Sequence, residues 1–291
     1  MSDDRKENAM KLKYYIPDPT GNITILAEGD VPADKRAGVA AKLMDKEPTA
    51  EQVGFISYGS GNDPADISLM MAGGEFCGNA TMSAAVLFVA KKEGLLGSFG
   101  GRQRVPGIHE VKVLASGVEG ICKVLVEVKE DGSYVGTVEM PKPLSIKTEK
   151  LLFEGKEYEL PVVDFGGITH VIIDAGESSK NNFDPEKAVM MWCDTLRAGC
   201  LGLMIYDSAQ NRLDPLVYVP EAGTLVWESS CASGTTAIGA YLAHKENRPV
   251  KISLTEPGGI LTVEAVPGGT CDREMRLLLS GTVNITEAFD F

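Results

Sequence analysis

Two cysteines stand where thiol chemistry is strongest. Cys77 lies within Gly73-Gly74-Glu75-Phe76-Cys77-Gly78-Asn79-Ala80-Thr81, and Cys231 within Glu228-Ser229-Ser230-Cys231-Ala232-Ser233-Gly234-Thr235-Thr236. A run of small and apolar residues follows each, Met82 to Ala90 and Ala237 to Ala243, and reads as a compact helix. Both runs end alike, in Lys91-Lys92-Glu93-Gly94 and His244-Lys245-Glu246-Asn247, as two copies of one unit would. A helix N-terminus carries unpaired N–H groups and about half a positive charge, so it binds carboxylates and lowers a thiol's pKa. Two such termini facing each other would hold one α-carboxylate with a sulfur on either side. One thiolate and one thiol on opposite faces are what inversion of a stereocentre by proton transfer requires. Three plainer readings compete: small buried hydrophobes, a redox disulfide between the two cysteines, or the tight packing of a duplicated core.

The elements that must position these thiols fall into two similar halves. In the first, a hairpin is expected from Lys11 to Ile16 and Ile23 to Leu26 about the turn Asp18 to Asn22. A helix over Ala33 to Asp45 follows, then strands at Val53 to Tyr58 and Ala65 to Met71 that lead into the first cysteine turn. Gly97 to Glu110, rich in glycine with Arg102 and Arg104, reads as a mobile loop that either covers the site or merely connects. Strands are then expected at Val111 to Ala115, Gly120 to Val128 and Tyr134 to Glu139, and Met140-Pro141-Lys142-Pro143 interrupts the pattern. The second half repeats the grammar. Its strands fall at Tyr158 to Val163, Thr169 to Asp174, Leu203 to Asp207 and Leu216 to Val219, with a helix over Pro185 to Ala198. Beyond the second cysteine helix, strands run over Val250 to Thr255, Gly259 to Val266 and Met275 to Val283. The class is therefore α+β: two pseudo-symmetric lobes, 1–141 and 142–291, each a mixed sheet wrapped on one central helix, with a cleft between them.

Composition narrows the partners. A chain of 291 residues with 44% hydrophobic and 24% charged residues has enough apolar surface for a core without disulfides. A formal charge of -13 argues against nucleic acid or an anionic membrane as the main partner. The first nine residues are charged and read as a floppy leader rather than a signal peptide, and no stretch is long enough for a membrane span. Six cysteines without zinc spacing favour reduced thiols, no metal and a cytoplasmic setting; Cys122, Cys193 and Cys271 read as structural. A homodimer is the default assembly for such a protein.

The motifs resemble those of the diaminopimelate epimerase fold, the family of cofactor-independent two-cysteine racemases and epimerases. Gly74-Glu75-Phe76-Cys77-Gly78-Asn79-Ala80 is close to that family's first cysteine motif, and Cys231-Ala232-Ser233-Gly234 to its second, with Ala232 where glycine is usual. Gly21-Asn22, Gln52, His170, Glu221-Ala222-Gly223, Pro257-Gly258-Gly259 and Ser280-Gly281 fall on further family positions. The resemblance implies that Cys77 and Cys231 are the acid/base thiols and that His170 and Glu221 set their protonation. It implies that Gly78, Asn79, Ala232 and Ser233 bind the substrate carboxylate, with Asn22 and Gln52 lining the pocket. Neither pyridoxal phosphate nor any other cofactor is implied.

The departures bear on the substrate. Diaminopimelate epimerases grip a distal carboxylate with an arginine and asparagines. The matching positions here hold Ala222, Met71, Ile168, and Gly199 or Cys200. Loss of a bidentate arginine leaves a buried carboxylate without its charge partner, which disfavours diaminopimelate. Asn79 stands where proline racemases and hydroxyproline epimerases carry histidine, which disfavours their substrates too. What remains is an amino acid without a distal carboxylate, with histidine the favoured substrate. The alternatives are diaminopimelate epimerase itself, a same-fold isomerase that moves a double bond in a small carboxylic acid, and a non-catalytic binding or redox protein.

Overall fold

The computed structural model describes residues 12–94, 105–179, 183–268, 274–285 and 288–291. The leader at residues 1–9, Cys271 and residues 97–104 of the expected loop lie outside these. The first half contains β1 (Lys13–Tyr15), β2 (Asp18–Pro19), β3 (Thr24–Glu28), α1 (Ala33–Lys46), β4 (Gln52–Tyr58), β5 (Ile67–Met71) and α2 (Gly78–Lys92), then β6 (Gly107–Ala115), β7 (Cys122–Val128) and β8 (Tyr134–Glu139). The second contains β9 (Ser145–Phe153), β10 (Lys156–Asp164), β11 (Thr169–Asp174), α3 (Ala175–Ser178), α4 (Pro185–Leu196), β12 (Leu201–Asp207), β13 (Arg212–Val219) and β14 (Thr224–Trp227). It ends with α5 (Ala232–Glu246), β15 (Val250–Glu256), β16 (Gly259–Val266), β17 (Arg276–Asn284) and β18 (Phe289–Asp290).

The strands join into one mixed sheet whose order of parallel and antiparallel pairs is written twice. β3 and β4 are parallel, β4 and β5 antiparallel, β5 and β6 parallel, and β6, β7 and β8 follow antiparallel. In the second half β11 and β12 are parallel, β12 and β13 antiparallel, β13 and β15 parallel, and β15, β16 and β17 antiparallel. Each parallel pair needs a crossover, and α1 and α2 supply the first two as α4 and α5 supply the last two. Thus α2 and α5 hold the same place in the repeat. β8 and β17 pair antiparallel, with Gly136 opposite Gly281, and so sew the two halves together.

Residue type explains the layers. α2 is buried almost all round because Gly, Ala, Ser and Thr let strands approach closely. A Cβ at Gly136 of β8 would stand 2.8 Å from the Met82 side chain. α2 and α5 share one continuous core. α1 and α4 are amphipathic, and each seals a smaller core on the outer sheet face, with Trp192 of α4 fully buried. Two expectations need correction. Gly107 to Glu110 is the start of β6 rather than loop, because these residues pair in register with Leu125 to Val128. β9 and β14 were not expected; both form by hairpin pairing, with β10 and β13 respectively. Among the described residues no helix is long and apolar enough to cross a membrane.

Candidate active site

Each cysteine is the N-cap of its helix, in nearly the same backbone conformation: φ -126°, ψ 115° at Cys77 and φ -122°, ψ 103° at Cys231. The Cys77 sulfur accepts the Ala80 N–H at 3.4 Å, and the Cys231 sulfur accepts the Gly234 N–H at 3.3 Å. A capping sulfur at a helix start is held where the helix dipole favours its thiolate. Both are free thiols. The two helix starts abut: a Cβ at Gly78 would lie 3.1 Å from the Ala232 Cβ, and the Asn79 amide donates to the Ser230 carbonyl at 3.4 Å. Within the described residues no acceptor takes the N–H groups of Gly78, Asn79, Ala232 and Ser233, the first-turn donors of two adjacent helices. Asn79 is buried and its side-chain oxygen has no partner among those residues. Such a group is built to meet something else.

The thiols differ in their other neighbours. Cys77 lies beside Gln52, a neutral amide, whereas Cys231 lies beside the carboxylate of Glu228. Burial pushes the Cys77 thiol up to about 11, against the pull of the Ala80 and Gln52 donors. Burial, then the Glu228 charge, pushes Cys231 well above the ordinary thiol value. Glu228 itself is raised to about 7, first by burial, with the Cys231 hydrogen bond opposing and the Glu51 charge adding. A carboxyl that titrates near neutrality beside a buried thiol can take and return that thiol's proton. Glu228 also lines a cavity of about 520 Å³ together with Arg212, Asp214, Trp227 and Ser229. A second carboxylate, Glu256, is buried at the end of β15, where it accepts the Cys231 N–H at 2.6 Å and the Thr235 hydroxyl. Burial raises it to about 8. It fixes the first turn of α5 and so the direction of the Cys231 side chain.

Of the remaining expected site residues, Asn22 and Gln52 are brought together, with the Gln52 amide donating to the Asn22 oxygen at 2.6 Å. Neither His170 nor Glu221 makes a hydrogen bond to a thiol among the described residues. His170 is fully buried on the inner face of β11, filling the space a side chain at Gly202 would take and meeting Phe165 edge-on. Neither ring nitrogen has a partner among the described residues, and burial depresses it to about 3, so the ring is neutral. Glu221 is exposed in the turn between β13 and β14. The unexpected β14 carries the chain away from that turn, and the carboxylate that reaches Cys231 is Glu228. Glu228 stood beside the cysteine in the sequence, but Glu256 gave no signal, since its hydrogen bonds span more than twenty residues.

Residues 11–288 match the family model described as the histidine racemase CntK N-terminal domain. The chain belongs to the histidine racemase family. It is 34% identical over 257 residues to a histidine racemase of Fusobacterium nucleatum subsp. nucleatum, covering 86% of this chain and 87% of that one. It is 28% identical over 261 residues to a histidine racemase of Staphylococcus aureus, covering 88% and 89%. A solved phenazine biosynthesis protein of the PhzF family from Bacillus anthracis has the same fold, with a TM-score of 0.65 at 14% identity over 97% of this chain and 98% of that one. The racemase family so identified is one of isomerases acting on amino acids.

Proposed function

We propose that this amino-acid racemase inverts the α-carbon of histidine by two-base proton transfer between Cys77 and Cys231, without a cofactor. One observation carries the reading: two free thiols cap abutting helices in matching geometry, beside four unengaged N–H groups. The substrate carboxylate binds those N–H groups, and its charge is stabilised most as negative charge grows on it during loss of the α-proton. One sulfur takes that proton while the C–H electron pair stays on carbon; the opposite S–H then delivers its own proton to the other face. In the reverse direction the roles exchange. Two thiols and two helix ends thus supply base, acid and anion field.

The finer architecture follows. The halves 1–141 and 142–291 act as pseudo-symmetric lobes of the diaminopimelate epimerase type, with the reacting carbon in the cleft where α2 and α5 meet and β17 returning to the first lobe. Histidine is favoured because the relatives bear that name and because no arginine stands where a distal carboxylate would need one; Ala222 occupies that place in an exposed turn. Reduced thiols fit a cytoplasmic enzyme, and a homodimer is its expected assembly. Incubation of the reduced protein with single L-amino acids, followed by chiral chromatography, tests the reading. D-histidine should accumulate to equality with L-histidine, and a failure to form it while another amino acid is inverted would reject the substrate.

A further inference from the structure

A run of polar contacts lies between the two thiols and crosses between the halves. Gln52 lies beside the Cys77 thiol and donates to the Asn22 oxygen at 2.6 Å and the Thr24 hydroxyl at 2.8 Å. The Asn22 amide donates in turn to one oxygen of Glu51, and the other oxygen of Glu51 accepts the Ser229 N–H at 3.4 Å. Ser229 follows Glu228 in the chain, and Glu228 lies beside Cys231. Glu51 is half-buried, immediately precedes β4, and touches neither sulfur.

We propose that Glu51 is a positioning residue that holds Asn22 and Ser229 on its two oxygens and, by its charge, keeps a proton on the Glu228–Cys231 pair. Its purpose rests on the two-thiol reading of the site. Glu228 is faced by Cys231 at the start of α5, Cys77 at the start of α2, Cys200 before β12, Glu256 at the end of β15 and Glu51 before β4. Arg212 and Asp214 share its cavity wall, and they pair with each other at 2.8 Å. Every other neighbour is neutral or negative, so the field favours a protonated pair. The proton that Glu228 holds is the one that Cys231 must donate when it acts as acid. A higher proton affinity at Glu228 also narrows its gap to Cys77, and so the gap between the proton arrangements that serve the two enantiomers.

The test reads Glu228 directly, by carbon-13 NMR of its carboxyl across pH in the reduced protein without substrate, assigned by its loss in E228Q. This outcome is independent of whether histidine is turned over. Glu51→Gln, and Glu51→Ala as a second removal of the charge, should each lower the Glu228 midpoint by about 0.5–1 pH unit. Glu51→Asp, which keeps the charge but shortens the reach, should leave the midpoint in place and raise KM through Asn22. A midpoint unmoved in both charge-removing variants, or one that falls as far in Glu51→Asp, overturns the proposal.

Discussion

Glu228→Gln keeps the shape of the side chain and removes its capacity to accept the Cys231 proton. In the wild type, Glu228 loses its proton at about 7, and the ion it leaves can draw the thiol proton of Cys231. Without it, a base arises only by direct ionisation of a thiol; burial holds Cys77 at about 11 and still raises Cys231, although loss of the Glu228 charge lowers Cys231 from its wild-type position. A thiol at about 11 is ionised to only about one part in 10⁴ at pH 7, so proton transfer to a neighbouring carboxylate is the accessible route. Loss of a general base typically costs about 10²- to 10⁴-fold, so kcat/KM should fall within that range. The assay is the initial rate of histidine racemisation from about pH 5 to about pH 10. The acid limb near 7 should move upward in the variant. L- and D-histidine are equal in energy, so kcat/KM must fall equally in both directions at every pH. A variant within about threefold of wild type, with its acid limb unmoved, would refute the pairing of Glu228 with Cys231.

Other expectations follow from the same contacts. Cys77→Ser and Cys231→Ser should each lower racemisation by about 10³-fold or more while leaving the fold intact by circular dichroism, since a hydroxyl in the same place is a far weaker acid than a thiol. Glu256 holds its proton to about 8 in the fold against 4.5 as a free side chain, so the folded state binds the proton more tightly and stability declines as pH rises through that window. Between about pH 6.5 and about pH 8, above the range where His170 titrates, Glu256→Gln should flatten the slope seen in urea unfolding; an unchanged slope would place the carboxyl's proton elsewhere. Gly21→Ala should cost about 1–3 kcal/mol by thermal unfolding, because φ is +88° and the new Cβ would stand 2.5 Å from the Gly258 Cα.

What could be read in the sequence was local chemistry. The cysteine helices declared themselves because the N-cap, the small residues and the basic ends are contiguous, and α1 and α4 because their apolar spacing is helical. β9 escaped because its charged residues, Lys147, Glu149 and Lys150, mask a strand held by nine-residue pairing with β10. β14 escaped because only its pairing with β13 makes Thr224–Trp227 extended. At the site, Cys77, Cys231, Asn22, Gln52 and Asn79 were recoverable from motif and resemblance. Glu51 and Glu256 were not, since their partners lie far away in the chain and meet only through the sheet crossovers. For His170, resemblance fixes a position on a strand but not the burial that leaves its ring neutral and without a hydrogen-bond partner among the described residues.

The central claim is that two thiols act from opposite faces of one carbon. The most direct measurement follows L-histidine in heavy water with the reduced enzyme, reading deuterium at the α-carbon separately in the L and D pools during the first turnovers. Two bases predict that every D-histidine formed carries deuterium while the remaining L-histidine keeps its original α-proton. Deuterium entering both pools at equal rates would mean a single base serving both faces, and would contradict the account.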